Sequence, residues 1–145
     1  MSLLEYAREG VVTVRPEASV EEAAQLMQRR SVGCLVAQEG RKPTGILTER
    51  DIVRRVVGSG RDPRRTAVRD VMTTPVVTVN NDLSLLGALE AMRKAGVKHL
   101  PVTDEDGDLC GFFTFNNLLY LLGSQLHAMT RVADHERGLV GVNEM

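Results

Sequence analysis

Residues 12–48, VTVRPEASVEEAAQLMQRRSVGCLVAQEGRKPTGILT, return as residues 77–114, VTVNNDLSLLGALEAMRKAGVKHLPVTDEDGDLCGFFT. The correspondence is ordered. Val12-Thr13-Val14 matches Val77-Thr78-Val79, Ser19 matches Ser84, Ala23 matches Ala88, Met27 matches Met92, Val32 matches Val97, and Leu35 matches Leu100. After one extra residue in the second copy, Gly45 meets Gly111 and Thr48 meets Thr114. A repeat of this kind is one supersecondary unit that needs a neighbour to bury its apolar face.

Both copies carry the same element signals. In the first, Val11 to Val14 is a short β-branched strand stopped by Pro16, and Ser19 with Glu22 has capping-box spacing, so a helix is predicted from Val20. Val20, Ala23, Ala24 and Met27 recur at helical spacing until Ser31-Val32-Gly33. Strands are predicted at Cys34–Ala37 and Gly45–Thr48 around a polar turn, followed by a helix from Glu49 to about Val57. The second copy repeats the plan with a strand at Val76–Val79, a helix at Leu85–Ala95, strands at His99–Val102 and Leu109–Thr114, and a helix from Phe115 to about Leu122. The fold class expected is α+β, two β-α-β-β-α repeats packed as one pseudo-two-fold domain with a cleft between them, where ligand sites favour such interfaces. The turn-rich join Gly58 to Pro63 divides the chain into 1–62 (first repeat with its lead-in and the linker start), 63–123 (linker end and second repeat) and 124–145. In the last part, Leu126, Met129 and Val132-Ala133 keep helical spacing and are expected to extend the final helix over a partner, with a mobile tail from Gly138.

Composition narrows the function classes. The 145 residues carry 43% hydrophobic and 26% charged side chains and a net charge of −1, the profile of a folded domain rather than a disordered chain or one that coats nucleic acid. Met1 to Gly10 lacks an apolar run long enough for a secretion signal, and no window approaches a membrane span, so a cytoplasmic protein without membrane contact is expected. Cys34 and Cys110 form no CxxC pair, and His99, His127 and His135 have no metal-ligand spacing. The acidic turn Asp104 to Asp108 lacks the frame of a calcium loop. No metal and no catalytic cofactor are expected. No nucleophile elbow, phosphate loop or dinucleotide fingerprint occurs, which argues against an enzyme.

The stretches TVRPEASVEEAAQLMQRRSVGCLV, GILTERDIV, VRDVMTTPVVTV and MRKAGVKHLPVTDEDGDLCGFFTFNNLL, in register twice, resemble the tandem CBS-domain (Bateman) module, over about Gly10 to Gly123. The resemblance implies a sensor of AMP, ADP, ATP or S-adenosylmethionine bound between the repeats, and modules stacked as a homodimer.

Thr48-Glu49-Arg50-Asp51 ends a strand and opens a helix, where backbone N–H groups and the Thr48 hydroxyl can meet a phosphate. The family's [ST]-x-x-D motif implies that Asp51 accepts hydrogen bonds from the ribose. Thr48 and Asp51 also have the spacing of a helix cap, and the two roles are compatible. By the same resemblance, Lys98 and His99 reach across from the second copy toward the ligand's phosphates; of the arginines between Glu49 and Asp70, Arg50 and Arg54 are the ones expected to approach a phosphate tail. Thr13, Val32, Cys34 and Pro101 are the adenine candidates by position. The matching second site, Thr78, Val97, Thr114 and Asn117, has an amide where the first has a carboxylate, so one competent and one weak or vacant site are expected.

Seven arginines against four acids between Glu49 and Asp70 read as an exposed helix and basic linker. The aromatic interleaving of single-strand binders is missing, so nucleic acid is not the expected partner. The function expected is therefore a stand-alone regulatory module that senses an adenosine nucleotide and signals to a separate protein of unknown identity. The alternatives are a structural dimerisation module without ligand and, more remotely, a nucleic-acid-binding regulator.

Overall fold

A computed structural model describes residues 11–144, with side-chain surroundings through Asp134. The lead-in through Gly10, read above as free of a secretion signal, lies outside the described residues, as does Met145.

The first repeat runs β1 (Thr13–Val14), α1 (Val20–Arg30), β2 (Cys34–Glu39), β3 (Lys42–Thr48) and α2 (Glu49–Asp51), which continues as a π-helical segment (Ile52–Val57). After the linker helix α3 (Val68–Val71), the second repeat follows as β4 (Val79–Asn80), α4 (Leu85–Ala95), β5 (His99–Thr103), β6 (Leu109–Thr114) and α5 (Phe115–Glu144). Each repeat forms one three-stranded sheet, ordered β1-β2-β3 and β4-β5-β6, with the outer pair β1–β2 or β4–β5 parallel and the hairpin antiparallel. The copies match even in irregularity, since β2 shifts register between Ala37 and Gln38 and β5 between Val102 and Thr103.

Alternation along the strands builds two cores. Leu35, Ala37 and Leu47 pack with Val20, Ala23 and Met27 of α1, whereas Leu100, Val102 and Phe113 pack with Ala88 and Met92 of α4. Val36 points to the other face of β2 and is only 1% exposed, so that face is covered as well. Ser19 and Glu22 form the reciprocal capping box that starts α1, and Ser84 caps α4 through the Gly87 N–H.

The opening strand of each repeat is shorter than expected, Thr13–Val14 in place of Val11–Val14 and Val79–Asn80 in place of Val76–Val79, and three further elements differ. The helix after Thr48 is α-helical for one turn only, and the Gly58 N–H donates to the Val53 carbonyl at 2.7 Å, five residues back. That wider turn buries Val56 completely while Val53 and Val57 stay 61% and 68% exposed. The linker is not loose. The Thr66 and Pro63 carbonyls accept the first N–H groups of α1, and Val68 and Val71 of α3 complete the first repeat's core. Finally, α5 runs through Glu144, because Gly123 and Gly138 weaken a helix without ending it.

The linker then sets up the cleft. Thr73 exchanges both backbone hydrogen bonds with Ile46 of β3, at 2.8 and 3.2 Å, which delivers Pro75, Val76 and Val77 alongside the end of that strand.

Candidate ligand-binding cleft between the repeats

β3 ends at Thr48, whose backbone is still extended, and the chain turns there into α2. Thr48 Oγ1 accepts the Asp51 N–H at 3.2 Å, and Asp51 Oδ2 accepts the Thr48 N–H at 2.9 Å. The cap is therefore formed in both directions. Asp51 is 7% exposed, and its other oxygen, Oδ1, lies 3.9 Å from Arg55 Nε. A carboxylate has about four acceptor positions, so this one keeps capacity toward the cleft.

A cavity of about 450 Å³ opens beside this turn. Its walls come from both repeats: Ile46, Thr48, Arg50 and Asp51 from the first, Gly96, Val97, Lys98 and His99 from the second, and Thr73 with Pro75 to Val77 from the connection between them. The volume lies within the range of small-molecule sites. Ile46, Val76, Val77 and Val97 make up the apolar part of the lining, and the buried Asp51 carboxylate with Arg50, Lys98 and His99 the charged or donor part.

His99 is half-buried and stacks on Phe112 with ring centroids 5.9 Å apart. Burial pushes its pKa below the ordinary histidine value, Asp51 opposes that shift, and Lys98 adds to it. The Cys34 thiol is pushed up to about 12, by burial first and by the nearby Asp51 second. Cys34 is paired in register with Thr48, just as His99 is paired with Thr114.

The cleft thus brings together Thr48, Arg50, Asp51, Lys98 and His99. It does not include the four adenine candidates. Thr13 lines a separate hollow with Glu17 and Gln38, and Val32 lies in a groove between α1 and the Glu49 helix. Cys34 lies close enough to Asp51 to feel its charge but does not line the cleft, and Pro101 is buried within β5. Arg54 is not on the wall either.

Of the residues assigned to the second site, Val97 lines the first cleft, and Thr78 is exposed just before β4. Thr114 and Asn117 close on each other: Asn117 Oδ1 accepts both the Thr114 N–H at 3.1 Å and its hydroxyl at 2.8 Å. The single oxygen of this amide is committed to its own cap. The apolar wall at Ile46, Thr73 and Pro75 to Val77 is what sequence reasoning missed. Its signal was available, because the crossing that brings Lys98 and His99 to Asp51 also brings the second repeat's own lead-in, Val76-Val77.

Among the described residues one acidic cluster, Asp104, Asp106 and Asp108, has carboxylate oxygens within 4.8 Å of one another. It already has a cation, since Lys42 Nζ lies 2.9 Å from Asp108 Oδ1 and also donates to the Asp106 carbonyl. No helix among the described residues is long and apolar enough to cross a membrane.

Comparison with known proteins agrees with the repeat and the fold. An uncharacterised protein of Methanopyrus kandleri is 37% identical over 120 residues, 82% of this chain and 61% of its own length, so the chain spans about three fifths of that relative. The CBS domain-containing protein YhcV of Bacillus subtilis is 36% identical, over 74% of this chain and 76% of its own. A CBS-domain protein from Burkholderia ambifaria superposes with a TM-score of 0.75 at 29% identity, covering 84% of this chain and 93% of the other. A CBS domain protein from Pyrobaculum aerophilum complexed with AMP shares the fold, with a TM-score of 0.74 at 22% identity over 86% and 99% of the two chains. The family model of the CBS domain matches twice, at residues 4–58 and 68–124, one match for each sheet and its helices, and the chain belongs to the CBS-domain family as a tandem pair.

Proposed function

We propose that this chain is a regulatory module that binds an adenosine nucleotide in the cleft between its repeats and passes the occupancy on to a protein partner. One observation carries the reading: a buried, capped Asp51 from one repeat and Lys98 and His99 from the other line the same cavity of ligand size, together with apolar residues. Asp51 accepts the ribose hydroxyls, since a buried carboxylate with spare acceptor capacity favours a donor pair. Arg50, Lys98 and His99 take the phosphates. Ile46, Val76, Val77 and Val97 sandwich the base, which suits a chain with only 3% aromatic residues. The Pyrobaculum protein offers a precedent for AMP in this fold. One ligand per chain is expected, because the equivalent turn spends its Asn117 oxygen on Thr114.

The module acts as a homodimer. Val53 and Val57 of the π-helical segment, Leu86 of α4, and Leu119 and Tyr120 of α5 are between 52% and 77% exposed, an apolar helical surface that fits a second copy.

Thermal unfolding against AMP, ADP, ATP, S-adenosylmethionine and a guanine nucleotide tests the binding. A ligand at 100 times its Kd stabilises by about 2.7 kcal/mol, which raises the midpoint by several degrees. The rise is expected with an adenosine compound and is lost in Asp51→Ala. The competing reading, a dimerisation module whose Thr48–Asp51 turn is only a cap, gives no rise with any of them. In that case Asp51→Ala shows just the loss of a cap, about 0.5–2 kcal/mol.

A further inference from the structure

Arg55 is not among the residues that line the cleft, yet it contacts two of the segments that build it. Its Nε lies 3.9 Å from Asp51 Oδ1, and its Nη1 donates to the Val71 carbonyl at 2.9 Å and to the Met72 carbonyl at 3.3 Å. Those carbonyls end α3. The next residue, Thr73, pairs with Ile46, and Pro75 to Val77 then form the apolar wall. A planar guanidinium holds several acceptors in one fixed arrangement, which a lysine ammonium on a flexible stem does not. We propose that Arg55 is the positioning residue of the site: it braces the helix bearing Asp51 against the linker that leads into the apolar lining, fixing both the carboxylate and the width of the cleft. The proposal rests on the nucleotide reading above and names the residue that prepares the site for its ligand.

The geometry separates this role from two simpler ones. As a phosphate contact Arg55 would have to line the cavity, as Arg50 and Lys98 do, and it does not. As a stabilising ion pair it would contribute little, because its side chain is 50% exposed and such pairs are weak. A brace instead acts on whatever part of the ligand meets Asp51 and the apolar wall, the nucleoside. Its loss must therefore weaken adenosine and AMP alike.

Titration calorimetry with adenosine and with AMP tests this on wild type, Arg55→Gln, Arg55→Lys, Asp51→Asn and the double variant Asp51→Asn/Arg55→Gln. Arg55→Gln is expected to weaken both ligands by about tenfold, the scale of one charge-assisted hydrogen bond. Arg55→Lys recovers only part of that loss. In the Asp51→Asn background Arg55→Gln costs much less than it does alone, because the two residues act as a unit. Wild-type affinity in Arg55→Gln overturns the brace. A loss confined to AMP and erased at about 0.5 M salt also overturns it, because that marks a long-range charge on the phosphate. Should Arg55→Gln fail to fold, Arg55→Lys decides alone, and its equality with wild type for both ligands overturns the proposal. If wild type itself binds neither compound, the nucleotide reading falls and the brace falls with it.

Discussion

Asp51 shapes the chemistry of its neighbours, and two of them report on it. Burial and the Asp51 charge together push the Cys34 thiol to about 12, so almost no thiolate exists there at neutral pH. Cys110 is exposed, and its pKa is raised by burial first and by Asp104 second. Under native conditions iodoacetamide is therefore expected to label Cys110 well ahead of Cys34, and peptide mapping by mass spectrometry checks the order; equal rates would refute the enclosure of Cys34. His99 gives a pH signature. Its pKa is lowered in the fold, so as pH falls through the ordinary histidine range the unfolded chain takes up the proton first, and stability drops. His99→Phe keeps the stack on Phe112 and removes the titration. Urea midpoints between pH 7.5 and 5.5, a window of about one unit either side of the unperturbed value, should fall less steeply in the variant than in wild type. The polar half of this site was legible in the sequence, because Thr48 and Asp51 are fixed by local spacing and Lys98 and His99 by the repeat. Its apolar half was not. Ile46, Val76 and Val77 look like any other β-branched strand residues until the Thr73–Ile46 pairing sets them side by side.

At the scale of elements, Ser31 and Gly96 show how the repeats diverged at one backbone position. Both end an 11-residue helix in the left-handed region, Ser31 at φ 54° and Gly96 at φ 65°. A residue with a Cβ is disfavoured there by about 1–2 kcal/mol, partly offset by the greater freedom glycine has in the unfolded chain. Ser31→Gly is therefore expected to stabilise the protein by about 0.5–1 kcal/mol, read as a higher urea midpoint with an unchanged slope. A lower midpoint would mean that the Ser31 side chain contributes something its exposure does not suggest. The helix starts and the strand runs could be read in advance because Ser19, Ser84 and the alternating apolar residues act locally. The linker helix α3 could not. Ala67 provides no side-chain cap, and four residues give no periodicity; what holds α3 is burial of Val68 and Val71 in a core made elsewhere. The π-helical turn was hidden for the same reason, since burying Val56 decides it.

On the scale of the whole molecule, the two repeats are pinned at the far ends of their hairpins as well as at the cleft. The Leu109 N–H donates to the Arg41 carbonyl at 2.7 Å, and Lys42 reaches the acidic turn of the second repeat. Among the described residues, what stays uncovered is α5 from Gly123 to Asp134. At 30 residues the helix is about 45 Å long, and its described core contacts, Phe115, Leu118, Leu121 and Leu122, lie in its first turns. Leu119, Leu126, Met129 and Ala133 fall at heptad positions, seven, three and four residues apart, the seam spacing of a two-stranded coiled coil. Leu126, Met129 and Val132 are more than 60% exposed. Few charges flank this stripe between Leu119 and Asp134, so two identical stripes can meet without repulsion. An isolated extension interrupted by Gly123 would be marginal in water, whereas pairing with the same helix of a second copy covers the seam. Light scattering is accordingly expected to give a dimer, with a thermal midpoint that rises with protein concentration. The double substitution Leu126→Glu/Met129→Glu, placed away from both cores, should shift the protein toward monomer and reduce helicity by circular dichroism. A dimer undiminished by the two glutamates would place the contact on α4 and the π-helical segment alone, and α5 would then extend for some purpose other than self-association.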